Sequence, residues 1–219
     1  MIAIVDYGVG NLRSAAKGLE RAVADEGVSM DVRVTTDAAD IERAEAVVLP
    51  GVGAFGACMQ SLAESGLKPV VLDAARSGRP FLGICVGMQI LFEESDEFGP
   101  VAGLGLLPGR VQKLRASGVP IPHMGWNAIS VRAGFPVLAE TADQAYFYFV
   151  HSYAAHPADA SLVAATTEYG GETITAAVGR DNIFATQFHP EKSQAAGIFL
   201  LRGFVATVAG SQAGKAEEA

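Results

Sequence analysis

The strongest constraint in this sequence is the alternation, through its first half, of short apolar runs with longer amphipathic ones. Ile2-Ala3-Ile4-Val5 reads as a buried strand. Asn11 to Glu26 carries Leu12, Ala15, Ala16, Leu19 and Val23 at helical spacing. Asp31 to Thr35 is a second strand, and Ala46 to Leu49 a third, stopped by Pro50-Gly51. Gly66 to Ser77 is predicted helical. Pro80 to Ile84 is predicted to be a strand, followed at once by a helix from Val86 to Glu94. Strands that alternate with helices pair in parallel, because each helix carries the chain back to the same edge.

After Phe98 the pattern changes. Val111 to Leu114, Asn127 to Val131, Ala145 to His151, Leu162 to Thr167, Thr173 to Gly179 and Ile183 to Gln187 read as strands between Gly, Pro and Asn turns, as antiparallel hairpins would. An amphipathic helix is predicted from Gln194 to Ala209, with a small polar tail, expected to be disordered, over 210–219. The expectation is one α/β domain over 1–209: a central, mostly parallel sheet flanked by helices and extended by antiparallel strands.

Composition narrows the function classes. Half of the 219 residues are hydrophobic and 18% are charged, enough for a sizeable core. Sixteen basic residues face 24 acidic ones, a net charge of -8, and no basic patch stands out, so nucleic-acid binding is not expected. The N-terminal residues have neither a basic leader nor a long apolar segment. The longest uncharged stretch, Ala46 to Ala63, is broken by Pro50 and three glycines, so no membrane span is expected. Two cysteines, Cys58 and Cys85, exclude a disulfide scaffold. A cytoplasmic chain in a reducing compartment is the expectation.

Gly83-Ile84-Cys85-Val86-Gly87 fits G-x-[S/C]-x-G at a predicted strand-to-helix junction. Such a turn lifts a nucleophile out of the sheet, and the following helix dipole favours a thiolate. Cys58, in Ala57-Cys58-Met59, has no such turn and reads as packing. A thiol nucleophile needs a base, and the base an orienting acceptor. His189-Pro190-Glu191 follows a predicted strand, and residues two apart in extended chain point the same way. Cys85, His189 and Glu191 are therefore the candidate triad. The Gly-rich turn Pro50-Gly51-Val52-Gly53 could aim a backbone N–H at a developing oxyanion, with the Val86 amide as second donor. It is not a phosphate loop, and Asp6-Tyr7-Gly8-Val9-Gly10-Asn11 is not a dinucleotide fingerprint, because Arg13 stands where the third glycine belongs. No His/Cys cluster has metal-ligand spacing, so no metal or cofactor is expected.

Together these segments resemble the class I, triad-type glutamine amidotransferases. The chain is most similar to the glutaminase subunits of imidazole glycerol phosphate synthase. The resemblance is carried by Val5-Asp6-Tyr7-Gly8-Val9-Gly10-Asn11-Leu12, Pro50 to Phe55, Gly83 to Gln89, His123-Met124-Gly125-Trp126-Asn127, Tyr148 to Tyr153 and His189-Pro190-Glu191. It implies hydrolysis of L-glutamine through a glutamyl thioester on Cys85, with His189 as acid and base and Glu191 as its orienter. Val52, Gly53 and Val86 would form the oxyanion site. Gly51, Gln89, Ser152 and Tyr153 would hold glutamine. It also implies a heterodimer with a (β/α)8-barrel cyclase that receives the ammonia, with Asn11, Trp126 and Lys192 as candidate contacts. A glutaminase subunit of vitamin B6 type and a stand-alone cysteine hydrolase of related fold are the alternatives.

Overall fold

Strands that are apolar along their whole length can be buried on both faces, which is where parallel strands sit. A computed structural model describes residues 1–217; residues 218–219, the end of the expected tail, lie outside the described residues. The apolar runs form β1 (Ile2–Val5) and, after α1 (Leu12–Glu26), β2 (Val32–Thr35) and α2 (Ala38–Arg43), β3 (Ala46–Gly51). Then come α3 (Phe55–Glu64), α4 (Lys68–Arg76), β4 (Phe81–Cys85) and the single turn α5 (Val86–Gln89). Every residue of β1, β3 and β4 is buried, whereas only Thr35 is buried in β2, an edge strand.

The second half supplies short strands: β5 (Phe92–Ser95), β6 (Val101–Ala102), β7 (Leu107–Lys113), β8 (His123–Ala128), β9 (Ser130–Val131), β10 (Tyr146–His151), β11 (Tyr153–Pro157), β12 (Val163–Tyr169), β13 (Glu172–Arg180) and β14 (Ile183–Thr186), before α6 (Gln194–Glu217). The main sheet has eight strands in the order β2-β1-β3-β4-β14-β13-β12-β9. Its first five are mutually parallel and the last three join antiparallel. The parallel sheet with an antiparallel extension is thus as the sequence pattern predicts. A four-stranded sheet (β11-β7-β5-β6) and the β8–β10 pair stand beside it.

Several elements differ from the sequence reading: α2, β5, β6 and β11 are additional, the strand predicted over 127–131 is divided between β8 and β9, and three further differences have a clear physical origin. The helix predicted over 86–94 stops at Gln89, and the chain turns into β5. The reason is competition for carbonyls. The N–H groups of Leu104 and Leu106 bond to the oxygens of Ile90 and Leu91, which a continuing helix would have used. The stretch 46–63, read as one uncharged run, contains α3, whose buried Phe55, Cys58, Met59 and Leu62 recur at helical spacing. Finally, α6 runs to Glu217, so much of the expected disordered tail is helical; Gln212, Ala213, Lys215 and Ala216 are good helix formers.

The window Gln194–Ser211 of α6 is long and apolar enough to cross a bilayer by composition. Its Leu200, Leu201, Phe204, Val205 and Val208 are instead buried in the protein core, with α1 among the elements packed on the helix. Near its start α6 lies under the Pro190–Lys192 turn. A Cβ on Gly197 would stand 1.8 Å from the Pro190 oxygen. We expect Gly197→Ala to lower stability by roughly 1–3 kcal/mol, as overpacking does, and to displace the turn. Urea melts of the two chains measure it, and coincident curves would refute this account of Gly197.

Candidate active site

Parallel register fixes the site. In β3 and β4, Gly51 stands opposite Cys85; in β4 and β14, Ile84 stands opposite Thr186. The carboxyl ends of three neighbouring strands therefore deliver Val52, Cys85 and the Gln187-Phe188-His189 segment to one edge, where open α/β sheets carry their sites. A cavity of about 430 Å³ opens there. Its walls include Val52, Gly53, Cys85, Val86, Gln89, Ser152, Tyr153, His189 and Lys192. The expected triad cysteine and histidine, the oxyanion candidates, three of the four glutamine-pocket candidates and one of the three partner candidates thus meet in one place.

Cys85 has φ 56° and ψ -114°, a conformation rare outside glycine. The strained turn is the nucleophile elbow that the flanking glycines suggest. Gly87 is required by space: a Cβ there would lie 1.9 Å from the Leu49 oxygen. The same close approach explains Gly51, whose Cβ would meet the Gly87 nitrogen at 2.5 Å. Gly53 has φ +90°, so it does use glycine's freedom. Because α5 is one turn long, the expected helix dipole is small. Side chains supply the polarity around the sulfur instead.

His189 is 2% exposed, and its Nδ1 lies 2.8 Å from Glu191 Oε1. Its Nε2 and the second Glu191 oxygen are buried without a partner in full hydrogen-bond geometry. Contacts of this kind tighten only with substrate bound. Burial alone would lower the His189 pKa; hydrogen bonding and charge from Cys85 and Glu191 outweigh it and push the pKa up to about 9. Both neighbours thus favour the protonated ring. Its loop is tied down by Ser193, whose hydroxyl donates to the His189 oxygen at 2.6 Å and accepts from the Tyr148 N–H at 3.0 Å.

The Val52 turn has anchors that the sequence reading did not find. The Tyr7 hydroxyl donates to the Pro50 oxygen at 2.7 Å, and the Cys58 thiol to the Val52 oxygen at 3.3 Å. Cys58 is fully buried, as its packing role implies, and burial first of all pushes its pKa up to about 11. It is a neutral donor, not a second nucleophile. Val86 opens α5, so its N–H has no acceptor one turn back and is available to the cavity.

Gln89 is almost fully buried. Its Nε2 donates to the Tyr153 oxygen and to Gln187 Oε1, each at 2.9 Å. Both amide hydrogens are committed, which leaves only its oxygen for a ligand. Gln187, which the sequence reading places only at the end of a predicted strand, puts its Nε2 3.9 Å from the Cys85 sulfur. His189 and Glu191 meet across the tight Pro190–Lys192 turn, not along the extended chain that the sequence reading assumes.

On the β8–β10 pair, inward residues alternate with outward ones. Phe147, Phe149, His123 and His151 are buried, while Met124, Trp126 and Tyr146 are exposed. Trp126 stands edge-on to Tyr148, and the Lys192 ammonium lies 5.7 Å from the Tyr148 ring centre. Trp126 and Lys192 thus adjoin one aromatic surface. Asn11 sits apart from them in sequence at the start of α1, which packs on the Pro190–Lys192 turn; its side chain makes no cap bond.

A class of protein is now defined: α/β chains with a cysteine elbow, a histidine–glutamate pair just after the neighbouring strand, and a Gly-rich turn beside them. Residues 4–207 match the model of the family described as glutamine amidotransferase class-I, and the chain belongs to that family. Within it the chain belongs with the HisH subunits. It is 50% identical over 209 residues to "Imidazole glycerol phosphate synthase subunit HisH" of Geobacter sulfurreducens, covering 93% of this chain and 97% of that one. It is 49% identical to the protein of that name from Syntrophotalea carbinolica, over 93% and 98% of the two chains. Among solved structures, one described as a glutamine amidotransferase matches with TM-score 0.71 at 19% identity, covering 95% of this chain and all of that one. A glutamine amidotransferase from Thermotoga maritima matches with TM-score 0.65 at 14% identity, over 94% and 96% of the two chains. These two support the fold.

The buried histidines make a test. Burial holds His151 down to about 3 and His123 to about 4, both below the ordinary 6.5. Between those values and 6.5 the unfolded chain binds protons that the native chain refuses, so stability falls as pH drops. His189 has the opposite sign. Its charge stabilises fully below 6.5, and that contribution is lost as pH rises through about 9. We expect the melting temperature to peak near pH 6.5 and His189→Ala to flatten only the alkaline limb. Melts across the pH range measure this; an alkaline limb unchanged in the variant would refute the His189 assignment.

Proposed function

We propose that this chain is the glutaminase subunit of an imidazole glycerol phosphate synthase, hydrolysing L-glutamine and passing ammonia to a cyclase partner in histidine biosynthesis. The observation that carries the reading is the strained Cys85 elbow facing a buried His189–Glu191 pair in one cavity.

In this reading the Cys85 sulfur attacks the side-chain amide carbon of glutamine as the thiolate, its proton held on His189. The resulting oxyanion is received by backbone N–H groups of Val86 and of the Val52-Gly53 turn. His189 donates its proton to the leaving nitrogen, the C–N bond breaks, and ammonia departs from a glutamyl thioester. Neutral His189 then takes a proton from water as the water oxygen attacks the thioester; the carbon–sulfur bond breaks, glutamate leaves with its new carboxyl proton lost to solvent, and the thiolate–imidazolium pair is restored. Glu191 fixes the ring orientation and offsets the imidazolium charge. The Gln89 oxygen and the backbone at Gly51, Ser152 and Tyr153 hold the amino-acid end. No cofactor or metal enters any step.

Free ammonia is protonated and lost in water, so the chemistry is useful only next to an acceptor. The partner is a (β/α)8-barrel cyclase, and the exposed Met124–Trp126–Tyr146 surface, with Lys192 beside Tyr148, is its docking face; Asn11 is a further candidate contact. The amidotransferase unit is taken as residues 1–209 and the chain as cytoplasmic.

Glutamate release, measured with and without a purified cyclase and its phosphoribosyl ligand, tests the assignment. We expect slow hydrolysis by the isolated chain and a large rise with partner and ligand. No release in any mixture would refute the function; full release by the chain alone would refute the dependence. Cys85→Ala should fall to background, and Glu191→Gln should lose on the order of 10²- to 10⁴-fold in kcat. For the native complex kcat/KM should fall as pH rises through about 9, where His189 loses the proton it must donate.

A further inference from the structure

We propose that Gln187 is a hydrogen-bond donor to the Cys85 thiolate, and that Gln89 is the positioning residue that holds the Gln187 amide the right way round. The proposal rests on the reading of Cys85 as nucleophile.

A glutamine amide can face a neighbour with either its oxygen or its nitrogen, and the two have opposite effects on a thiolate. Here the choice is dictated from a distance. The Tyr153 carbonyl only accepts, so His151 Nδ1, 2.8 Å away, carries a hydrogen. Neutral His151 then presents a bare Nε2 to His123 Nδ1 at 3.1 Å. Neutral His123 in turn presents a bare Nε2 to the Asn127 amide nitrogen at 3.3 Å. Asn127 is fixed in that orientation by donating to the Glu168 oxygen at 2.9 Å. Both ends of this row are backbone carbonyls, so every tautomer in it is set.

The same logic runs the other way from Tyr153. Its oxygen also accepts from Gln89 Nε2, so a flipped Gln89 would oppose oxygen to oxygen. With Gln89 fixed, its second hydrogen points at Gln187 Oε1. A flipped Gln187 would oppose nitrogen to nitrogen. The one arrangement without a clash directs the Gln187 N–H at sulfur, at 3.9 Å, the long end for such a contact. Gln187 is fully buried, where a hydrogen bond to an ion is worth more than in water. Strand register adds an independent argument. The last paired residue of β14, Thr186, stands opposite Ile84, so Gln187 leaves the sheet edge where Cys85 ends β4.

The test uses the full chain and iodoacetamide, with alkylation of the Cys85 peptide followed by mass spectrometry across pH. Gln187→Met keeps the length and removes the donor. Its alkylation midpoint should move up by about half to one pH unit, a threefold to tenfold loss of thiolate at a given pH. Gln89→Met, which frees the Gln187 amide to turn, should move it in the same direction by less. A merely structural role would lower the melting temperature without moving the midpoint. An unmoved midpoint in folded Gln187→Met overturns the proposal. If that variant does not fold, an unmoved midpoint in Gln89→Met does so. Failure of native Cys85 to react at all would overturn the nucleophile assignment itself, and the proposal with it.

Discussion

The site depends on one constraint, the parallel pairing of β4 with β3 on one side and β14 on the other. Parallel strands end at the same edge, so three segments distant in sequence leave the sheet side by side. The backbone contact between α5 and the end of β3 tightens that edge, and it exists only because no Cβ intervenes at Gly87 or Gly51. Everything chemical is then a question of which residue follows each strand: Val52 after β3, Val86 after Cys85, Gln187 and His189 after β14.

Equally buried histidines end in opposite charge states within a small volume. His123 and His151 have neutral partners and stay uncharged, serving as rods of fixed polarity between Asn127 and the Tyr153 carbonyl. His189 is buried as deeply but faces the Cys85 sulfur and a carboxylate, which favour its protonated form. The difference lies in the neighbours, not in the depth. Tyr7 and Cys58 show a third use of burial, as neutral donors that grip the carbonyls of the Pro50–Gly53 turn.

Much of this was legible in the residues. The apolar runs of β1, β3 and β4 announce a parallel sheet, and the glycines around Cys85 announce its elbow. The nearness of His189 and Glu191 in sequence announces their pairing, although a tight turn and not an extended chain brings it about. What escaped needed knowledge of distant neighbours. Nothing local says that the 103–107 segment takes the carbonyls of Ile90 and Leu91 and cuts the helix after Cys85 to one turn. Nothing local distinguishes Cys58 as filler from Cys58 as donor, since its acceptor lies on another element. Gln89 could be placed one turn from Cys85, but not that both its hydrogens are spent on Tyr153 and Gln187. Nothing in the sequence singles out Gln187, because a buried amide carries no reactivity of its own.

The β8–β10 pair separates two sets of residues by nothing more than odd and even position. One set, with His123, Phe147, Phe149 and His151, faces inward toward the site; the other, with Met124, Trp126 and Tyr146, is the outer surface. Each set can change without the other as long as the count of residues is kept. An insertion or deletion of a single residue in either strand exchanges them, turning imidazoles to the outside and an indole into the interior. These two strands therefore tolerate exchange within each set far better than any change in length.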